Sequence, residues 1–326
     1  MNFWWVNQNQ TAKQEISGGY MWSPKRKKSG ARNAFYENMR ECAPGDIVFS
    51  FVDTKVATMG TVTTFCEEAP RPNEFGATGD QWDADGWRVG VEYQSLLSPL
   101  RPVAHMDVLG PTLPEKYSPL QADGRGNQIY LARVPAAMAE ALVRLIGDEA
   151  KAIVSREPAA LAGAMSSLTA ENDARENTIE AAIRGDSRIP ETERQAIVRS
   201  RRGQGVFRER VAEIESQCRV TGVTNLAHRI ASHIKPWTCS DNRERLDGYN
   251  GLLLTPHIDH LFDKGFISFS DDGLLLISPV ADREALRRMG IPVDSPLQTG
   301  SFSPEQRLYL DYHRTERFKK SVVGGV

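Results

Sequence analysis

Short apolar runs separated by turn-forming residues dominate the first 134 residues. Four of these runs are rich in valine, phenylalanine and tyrosine, a composition typical of β-strands: DIVFSFV, ATMGTVTTFC, WRVGVEY and IYLARV. Clusters of proline and glycine between the runs mark turns. This half of the chain therefore predicts a small mixed β-barrel or open sheet with a few helices.

From Val134 onward the apolar spacing changes to that of amphipathic helices. Within PAAMAEALVRLIGDEAKAIV the period is close to 3.6 residues, and Pro135 suits the first turn of a helix. The apolar positions on that period are Met138, Leu142, Leu145, Ile146 and Ile153. Two further charged runs, Ser166 to Arg184 and Pro190 to Gln217, extend the helical pattern.

Strand-like pieces return after the helical stretch as CRVTGV, GLLLTP, FISFS and GLLLIS, and the segment from Ser303 to Phe318 is typical of a helix. The overall pattern predicts an α+β protein in three parts. These are a β-barrel domain at 1–134, a helical connector at 135–205 and a second domain at 206–326 with a helical tail.

Composition narrows the class of protein. A length of 326 residues suits two domains, while 40% hydrophobic and 25% charged residues with a net charge of −2 exclude a wholly disordered or strongly basic chain. A nucleic-acid role must therefore depend on local patches. The sequence has no long uncharged apolar run and no signal-peptide pattern, so we expect a soluble, cytoplasmic protein without a membrane partner.

The cysteines and histidines differ in their spacing. The four cysteines are far apart and form no CxxC pair, so neither a disulfide scaffold nor a zinc knuckle is indicated. Four of the six histidines, in contrast, fall within 33 residues: His228, His233, His257 and His260. Crowding of this kind predicts a functional site.

The order of elements around these histidines is strand, loop, strand, helix. SHIKPW ends one strand-like piece, NGLLL starts the next, and PHIDHLFDKG opens a helix at Pro256. Asp259 and Asp263 lie four residues apart on that helix, so both carboxylates point from one face. This geometry suits the chelation of one divalent cation, although two surface acids are the alternative interpretation.

The segment from about Cys218 to Phe269 resembles the HNH nuclease family. The resemblance rests on the CRVTG opening, a histidine before Ile-x-Pro, an asparagine before GLLL and a DxxxD helix, in that order. It implies a ββα-metal fold that hydrolyses phosphodiester bonds. By position, His233 would deprotonate the attacking water and Asn250 would hold this base across the β-ribbon.

The resemblance also implies a metal site. Asp259 would bind the cation with Asp263 as a second ligand or a water-mediated contact, and the preference for oxygen ligands indicates Mg²⁺ or Mn²⁺. Ser232 stands where the family commonly has an aspartate or histidine ligand, which leaves the full set open. His257 or His260 would compensate, or would contact DNA or be structural; we favour the aspartates and keep His257 as a third candidate.

Two basic segments are candidates for phosphate contacts. PKRKK follows an aromatic motif, and RSRRGQGVFRER has five arginines against one acid. The predicted contacts are Lys25, Arg26, Arg201, Arg202, Arg208 and Lys235. Such contacts would provide salt-dependent affinity that does not depend on sequence, and a solvated basic helix is the alternative for the second segment.

The first 134 residues are rich in aromatic side chains, and one of these lies in a suggestive setting. Trp22 belongs to GGYMWSPK, where glycines permit close approach and basic residues follow. A stacking surface beside phosphate-binding charge suits a base extruded from a duplex. For Trp4 and Trp5, strand alternation predicts one side chain inward and one outward.

The patterns WVNQNQ, GGYMWSPK, PGDIVFSF and GNQIYLARV, spanning about residues 1 to 134, resemble EVE domains of the PUA-like group. That resemblance implies an aromatic-walled pocket for a modified or flipped base. By position, the pocket would be lined by Trp22 and Ser23, with Asn7, Trp82 and Trp87 as further candidates.

Together the two halves resemble modification-dependent restriction endonucleases of the EVE-HNH type. The resemblance implies a reader of 5-methylcytosine or 5-hydroxymethylcytosine in double-stranded DNA and a nuclease that cuts nearby. Cutting both strands with one site per chain predicts a homodimer. The alternatives are an HNH nuclease that acts on RNA or ignores modification, and a non-catalytic modified-DNA binding protein with a decayed metal site at Ser232.

Overall fold

The computed structural model describes residues 1–156, 174 and 176–321. The described residues form two compact units. The first contains those up to residue 156 together with 320 and 321, and the second contains those from 174 to 319. Of the predicted helical run at 166–184, residues up to 173 and residue 175 lie outside the described residues.

A seven-stranded mixed sheet forms the first unit. Its strands are β1 (Phe3–Asn7), β2 (Tyr20–Pro24), β3 (Ile47–Val52), β4 (Lys55–Val62), β5 (Glu67–Pro70), β6 (Asp85–Leu100) and β7 (Leu131–Val134). The order is β2-β6-β4-β3-β1-β7, with β5 paired to β6. Only the β1–β3 pair is parallel, and the 16-residue β6 pairs with β2 and β5 near its start and with β4 farther along. The sheet curls into a half-barrel.

Both faces of this sheet are covered, which explains its two adjacent tryptophans. Trp5 packs with Phe49 and Met59 in one core cluster, whereas Trp4 packs in a second cluster with Met39. Both indoles are fully buried. The expectation that one of them faces outward was therefore wrong, because alternation sends the two rings to two different cores.

Five α-helices lie within the described part of the first unit. They are α1 (Ala12–Gly18), α2 (Ala34–Glu37), α3 (Met106–Leu109), α4 (Ala136–Ile146) and α5 (Asp148–Val154). The predicted helix after Pro135 is two helices, because Gly147 between them adopts a φ of 94°. Met138, Leu142 and Ile153 pack in the same cluster as Phe49. The core of this unit therefore includes α4 and α5, beyond residue 134.

The second unit contains two antiparallel ribbons and a set of helices. The ribbons are β8 (Ile230–His233) with β9 (Gly251–Leu254), and β10 (Ile267–Phe269) with β11 (Leu275–Ile277). The helices are 176–185 (α6), α7 (Glu191–Ser200), α8 (Val206–Ile214), α9 (Pro256–Asp263), α10 (Arg283–Arg288) and α11 (Pro304–Tyr312), and α11 continues as one π-helical stretch, His313–Arg317.

The β8–β9 ribbon is enclosed between two helices. Leu252 and Leu254 face α9 and pack with Ile258, while the intervening Leu253 faces α8 and packs with Phe207. Because strand side chains alternate, an apolar run such as GLLL supplies both faces. The predicted order of strand, loop, strand and helix is confirmed here, as is the α+β class.

The segment CRVTGV was predicted as strand-like and is instead a closed turn. The amide of Gly222 donates to the Cys218 carbonyl at 2.8 Å, and the Cys218 amide donates to the Val223 carbonyl at 2.9 Å. Gly222 has a φ of 70°, which lies in the left-handed region that favours glycine.

The described residues contain no helix long and apolar enough to span a bilayer.

Truncation of a central β3 side chain should destabilise the first unit. Phe49 is fully buried, and its strand neighbours in register are Trp5 on β1 and Met59 on β4. We expect Phe49→Ala to lower the free energy of unfolding by about 3–5 kcal/mol, measured by urea denaturation with tryptophan fluorescence. Leu97→Ala is the matched control, since Leu97 is 89% exposed and its truncation should change stability by less than about 0.5 kcal/mol.

Candidate functional site

His233 is the last residue of β8 and lies beneath α8. Its Nε2 is 3.1 Å from the carbonyl oxygen of Arg245. Since a carbonyl only accepts, Nε2 carries the proton of the neutral ring and Nδ1 holds the lone pair. Burial, and then the nearby Arg245 guanidinium, lower the pKa of His233 to about 4, against the raising effect of the Arg245 carbonyl. The imidazole is therefore neutral at pH 7 and able to accept a proton.

Asn250 closes the loop between β8 and β9 from a fully buried position. Its Oδ1 accepts from the Lys235 amide at 2.8 Å, and its Nδ2 donates to the Glu244 carbonyl at 3.0 Å. Longer bonds of 3.3 Å reach the Lys235 carbonyl and the Ser240 hydroxyl. These hydrogen bonds of the Asn250 amide reach the loop rather than the imidazole. Asn250 thereby orders the segment that presents the Arg245 carbonyl to His233.

Asp259 lies on α9, on the ribbon face opposite His233, and the hydroxyl of Ser232 donates to its carboxylate. Burial raises the pKa of Asp259, and the negative charge of Asp263 raises it further. Asp263 is exposed, with its carboxylate oxygens 3.7 Å from Lys264 Nζ and from Arg317 Nη2. The two acids thus lie on one helix, as their spacing predicts, and the charge of Asp263 acts on the Asp259 carboxylate.

The remaining histidines of the cluster are more exposed. His257 is half-buried on the first turn of α9, and His260 is exposed near enough to Asp259 for its charge to lower the pKa of that carboxyl. His228 is exposed in the turn before β8.

The oxygen groups around Asp259 suit a hard divalent cation. A partly buried carboxylate whose pKa is raised by burial and by a second acid is one whose ionised form a cation would stabilise. Mg²⁺ and similar ions commonly use one or two carboxylates and complete their shell with water and substrate phosphate. Within the described ranges, no group of three or more His, Cys, Asp or Glu side chains is arranged to hold a metal.

Most of the predicted phosphate contacts have partners inside the protein. Lys25 Nζ pairs with Glu68 at 3.1 Å, and Lys235 Nζ pairs with Glu244 at 2.6 Å. Arg201 pairs with Glu176 at 2.9 Å and with Glu180 at 2.6 Å. Lys25, Lys235 and Arg201 each have a carboxylate partner within the fold, and their role as phosphate contacts stays a prediction.

Arg208 also has a structural position rather than an outward one. Its guanidinium donates to the Arg229 carbonyl at 2.9 Å and to the Leu226 carbonyl at 2.6 Å. Arg202 is exposed, and Arg26 is half-exposed with a bond of 3.4 Å to the Gly30 carbonyl. Arg202 is therefore the most exposed member of the predicted set.

A cavity of about 450 Å³ opens in the first unit. Four of its lining residues are aromatic: Trp22, Tyr36, Trp82 and Tyr130. Six more carry side-chain amides: Asn7, Gln8, Asn9, Gln10, Asn33 and Gln128. Aromatic walls with several amide groups are suited to a flat, polar ligand such as a nucleobase.

Trp82 reaches the cavity on the segment that follows β5. Its ring centroid lies 6.3 Å from that of Trp22, and Phe75 packs edge-on to both rings. Arg71 holds this segment by donating to the carbonyls of Gly79 and Trp82. The predicted positions Trp22, Trp82 and Asn7 therefore meet at one cavity.

Ser23 and Trp87, also predicted for the pocket, do not line this cavity. The two residues are paired directly across β2 and β6, on the sheet face opposite Trp22. Both are almost fully buried, and Trp87 packs in the same cluster as Trp4. Their assignment to the pocket was wrong because adjacent strand residues point to opposite faces.

A buried carboxylate supports the cavity from behind. Glu15 on α1 is fully buried, and its Oε1 accepts from the Trp22 amide and the Tyr130 hydroxyl, each at 2.7 Å. Its Oε2 accepts from Gln8 Nε2 at 2.6 Å and from the Thr11 hydroxyl at 3.1 Å. All four donors belong to lining residues, so one carboxyl group fixes four positions of the wall.

Several of these residues are absent from the sequence prediction. Glu15 lies in an ordinary helical segment, and Arg245 contributes through its backbone, so neither has a recognisable motif. Tyr130 follows the GNQ turn within IYLARV, where only the aromatic type was a signal. Long-range packing, not local pattern, brings them to the sites.

Comparison with known families supports the interpretation of the second unit. Residues 218–270 match the HNH_2 family, described as HNH endonuclease, and this range includes His233, Asn250 and Asp259. The chain therefore contains an HNH endonuclease domain and is a metal-dependent endonuclease. A search of curated proteins finds no match.

Comparison with solved structures finds similar chains of low identity. A protein from Pseudomonas putida is 14% identical over 44% of this chain and 99% of its own, with a TM-score of 0.32. A protein from Pseudomonas syringae is 15% identical over 44% and 99%, with a TM-score of 0.30. The Pho92 YTH domain in complex with m6A is 9% identical over 44% and 85%, with a TM-score of 0.31.

Titration of Glu15 should make the first unit less stable as the pH rises. Burial raises the pKa of Glu15 from 4.5 to about 7, despite its hydrogen bonds. The folded state therefore binds the proton more tightly than the unfolded state. The contribution of the protonated group is complete below pH 4.5 and is lost as the pH rises through 7, a loss of roughly 3 kcal/mol by pH 8.

Glu15→Gln removes this titration, so the difference in unfolding free energy, wild type minus variant, should fall by most of that amount between pH 5 and pH 8. Urea denaturation followed by tryptophan fluorescence at each pH measures it. A difference that stays constant with pH would contradict the assignment.

Proposed function

We propose that this protein is a modification-dependent DNA endonuclease, in which the first unit binds a flipped modified base and the HNH domain hydrolyses the backbone. The observation that carries the proposal is the presence, on one chain, of an HNH domain and an aromatic cavity with amide groups in its wall. A nuclease needs a rule for choosing its substrate, and a base pocket supplies one.

In the proposed mechanism, His233 removes the proton from the attacking water through Nδ1. The bond to the Arg245 carbonyl keeps the proton of the neutral ring on Nε2, which leaves the lone pair on Nδ1. This bond also stabilises the imidazolium that forms after proton transfer, because a hydrogen bond from a charged donor is stronger than one from a neutral donor. Asn250 acts as a positioning residue through the loop that it orders.

Asp259 is the proposed principal ligand of the divalent metal, with Asp263 and the Ser232 hydroxyl as further oxygen groups and His257 as an alternative. When bound, Mg²⁺ or Mn²⁺ would neutralise charge on the phosphate and on the leaving oxygen. Arg202, exposed on the turn after α7, is the proposed phosphate contact of the second unit, with Arg26 in the same role in the first.

The proposed substrate is double-stranded DNA that carries 5-methylcytosine or 5-hydroxymethylcytosine. Trp22 and Trp82 would stack on the flipped base, and Asn7 would bond its polar edge. The Nδ2 of Asn7 donates to the Asn127 carbonyl at 3.1 Å, and this bond holds the Asn7 side chain at the cavity wall. The proposed active form is a homodimer, because two copies of one hydrolytic site cut both strands of a duplex.

Cleavage should depend on the base modification. We expect purified protein with Mg²⁺ or Mn²⁺ to linearise plasmids that carry 5-methylcytosine or 5-hydroxymethylcytosine, and to leave unmodified and N6-methyladenine plasmids intact, as read on an agarose gel. Trp82→Ala should remove this preference by deleting one wall of the pocket, and Leu97→Ala, which changes an exposed residue of the same unit, should keep it.

Equal cleavage of all four plasmids by the wild type would retain the nuclease and exclude modification reading. Selective gel shifts of the modified plasmids without any cleavage would favour a binding protein. Accumulation of nicked circles in place of linear product would argue against the homodimer.

Removal of the proposed base should slow cleavage strongly without weakening binding. We expect His233→Ala to lower the single-turnover cleavage rate by roughly 10²–10⁴-fold, the usual contribution of a general base. His228→Ala is the matched control, since His228 is an exposed histidine of the same unit and should cleave at the wild-type rate. Fluorescence anisotropy should give equal DNA affinity for all three proteins. Wild-type cleavage by His233→Ala would assign the base to another residue.

A further inference from the structure

A phenylalanine outside the HNH match stacks on the proposed catalytic base. The ring centroids of Phe207 and His233 are 3.8 Å apart, and the ring planes differ by 2°. Phe207 lies on α8, before the matched range of 218–270, and is fully buried. The imidazole is therefore held over its face by Phe207 and at its edge by the Arg245 carbonyl.

The ribbon leaves room for this stack at one glycine. Gly251 pairs with His233 across β8 and β9. A Cβ at Gly251 would lie 2.3 Å from Val211 Cγ2 and 2.9 Å from Phe207 Cζ, both on α8. Any side chain at position 251 would push α8 away from the ribbon. The absence of a side chain at Gly251 therefore permits the approach of Phe207.

Two arginines of RSRRGQGVFRER fix α8 against the loops at both ends of the ribbon. Arg208 donates to the carbonyls of Leu226 and Arg229, which precede β8. Arg210 donates to the Leu246 carbonyl at 2.7 Å, next to the residue whose carbonyl bonds His233. Both side chains thus tie the helix that carries Phe207 to the segments that flank the base.

We infer that Phe207 is a positioning residue for catalysis, which holds the plane of the His233 ring so that Nδ1 stays aligned with the attacking water. The hydrogen bond at Nε2 alone leaves the imidazole able to turn about that bond, and a parallel ring at contact distance removes this freedom. Small misalignments of a general base are costly to rate because proton transfer demands close geometry. The inference rests on the proposed role of His233.

Single-turnover cleavage of the 5-methylcytosine plasmid with Mn²⁺ tests the inference in four variants and the wild type: Phe207→Leu, Val211→Ala, His233→Ala, and Phe207→Leu combined with His233→Ala. Phe207→Leu keeps an apolar side chain but removes the flat ring. We expect it to lower the rate roughly 10- to 100-fold with DNA affinity changed less than about twofold. Val211→Ala is the matched control, since it truncates another buried α8 residue of the same cluster without removing the stack.

The double variant should cleave no more slowly than His233→Ala, because Phe207 is inferred to act through the imidazole. A proton NMR spectrum provides a second measurement, in which the upfield ring-current shift of the His233 ring protons should be lost in Phe207→Leu and kept in Val211→Ala. If Phe207→Leu does not fold, Phe207→Met serves in its place.

A wild-type rate for Phe207→Leu, or an equal loss in Val211→Ala, would overturn the inference. So would an additional loss in the double variant. Wild-type cleavage by His233→Ala alone would instead refute the proposed base, and failure of the wild type to cut this plasmid would refute the proposed substrate.

Discussion

Each proposed site depends on a fully buried polar side chain that must satisfy its hydrogen bonds inside the fold. Asn250 does so in the nuclease, where its amide reaches the backbone of Lys235 and Glu244 and orders the loop beside the base. Glu15 does so in the first unit, where its carboxyl group accepts from four residues of the cavity wall. An unpaired polar group in such a position costs about 1–3 kcal/mol, more if charged, so these bonds constrain each site to one arrangement.

Hydrogen bonds and ion pairs inside the fold also change the interpretation of the basic segment before the nuclease domain. In RSRRGQGVFRER, the guanidinium groups of Arg201, Arg208 and Arg210 have carboxylate or carbonyl partners. Those of Arg208 and Arg210 attach α8 to the segments at both ends of the ribbon. Local charge density predicted phosphate binding because sequence does not show which charges have internal partners. With these arginines used structurally, α8 brings Phe207 against His233 and contributes to the nuclease from outside the matched range.

The sheet of the first unit shows how far strand patterns carry a pocket prediction. Valine- and phenylalanine-rich runs located β3, β4, β6 and β7, because β-branched and aromatic residues suit a pleated, half-buried surface. The same runs left the faces unassigned. Trp22 lines the cavity while its neighbour Ser23 and the paired Trp87 lie on the other face, and Trp4 and Trp5 fill two separate cores. Because this sheet is covered on both sides, neither face is polar, and the sequence pattern does not show which strand residues point into which core.

What the sequence determined by itself was the α+β class, the order of strand, loop, strand and helix, and the placement of Asp259 and Asp263 on one helical face, since these follow from local periodicity and spacing. Only the tertiary structure decided which carbonyl contacts His233, which ring stacks on it, and which buried acid supports the cavity. Those contacts join residues that are distant along the chain, as Glu15 and Tyr130 are, and no local pattern records which distant partner a buried polar group will find.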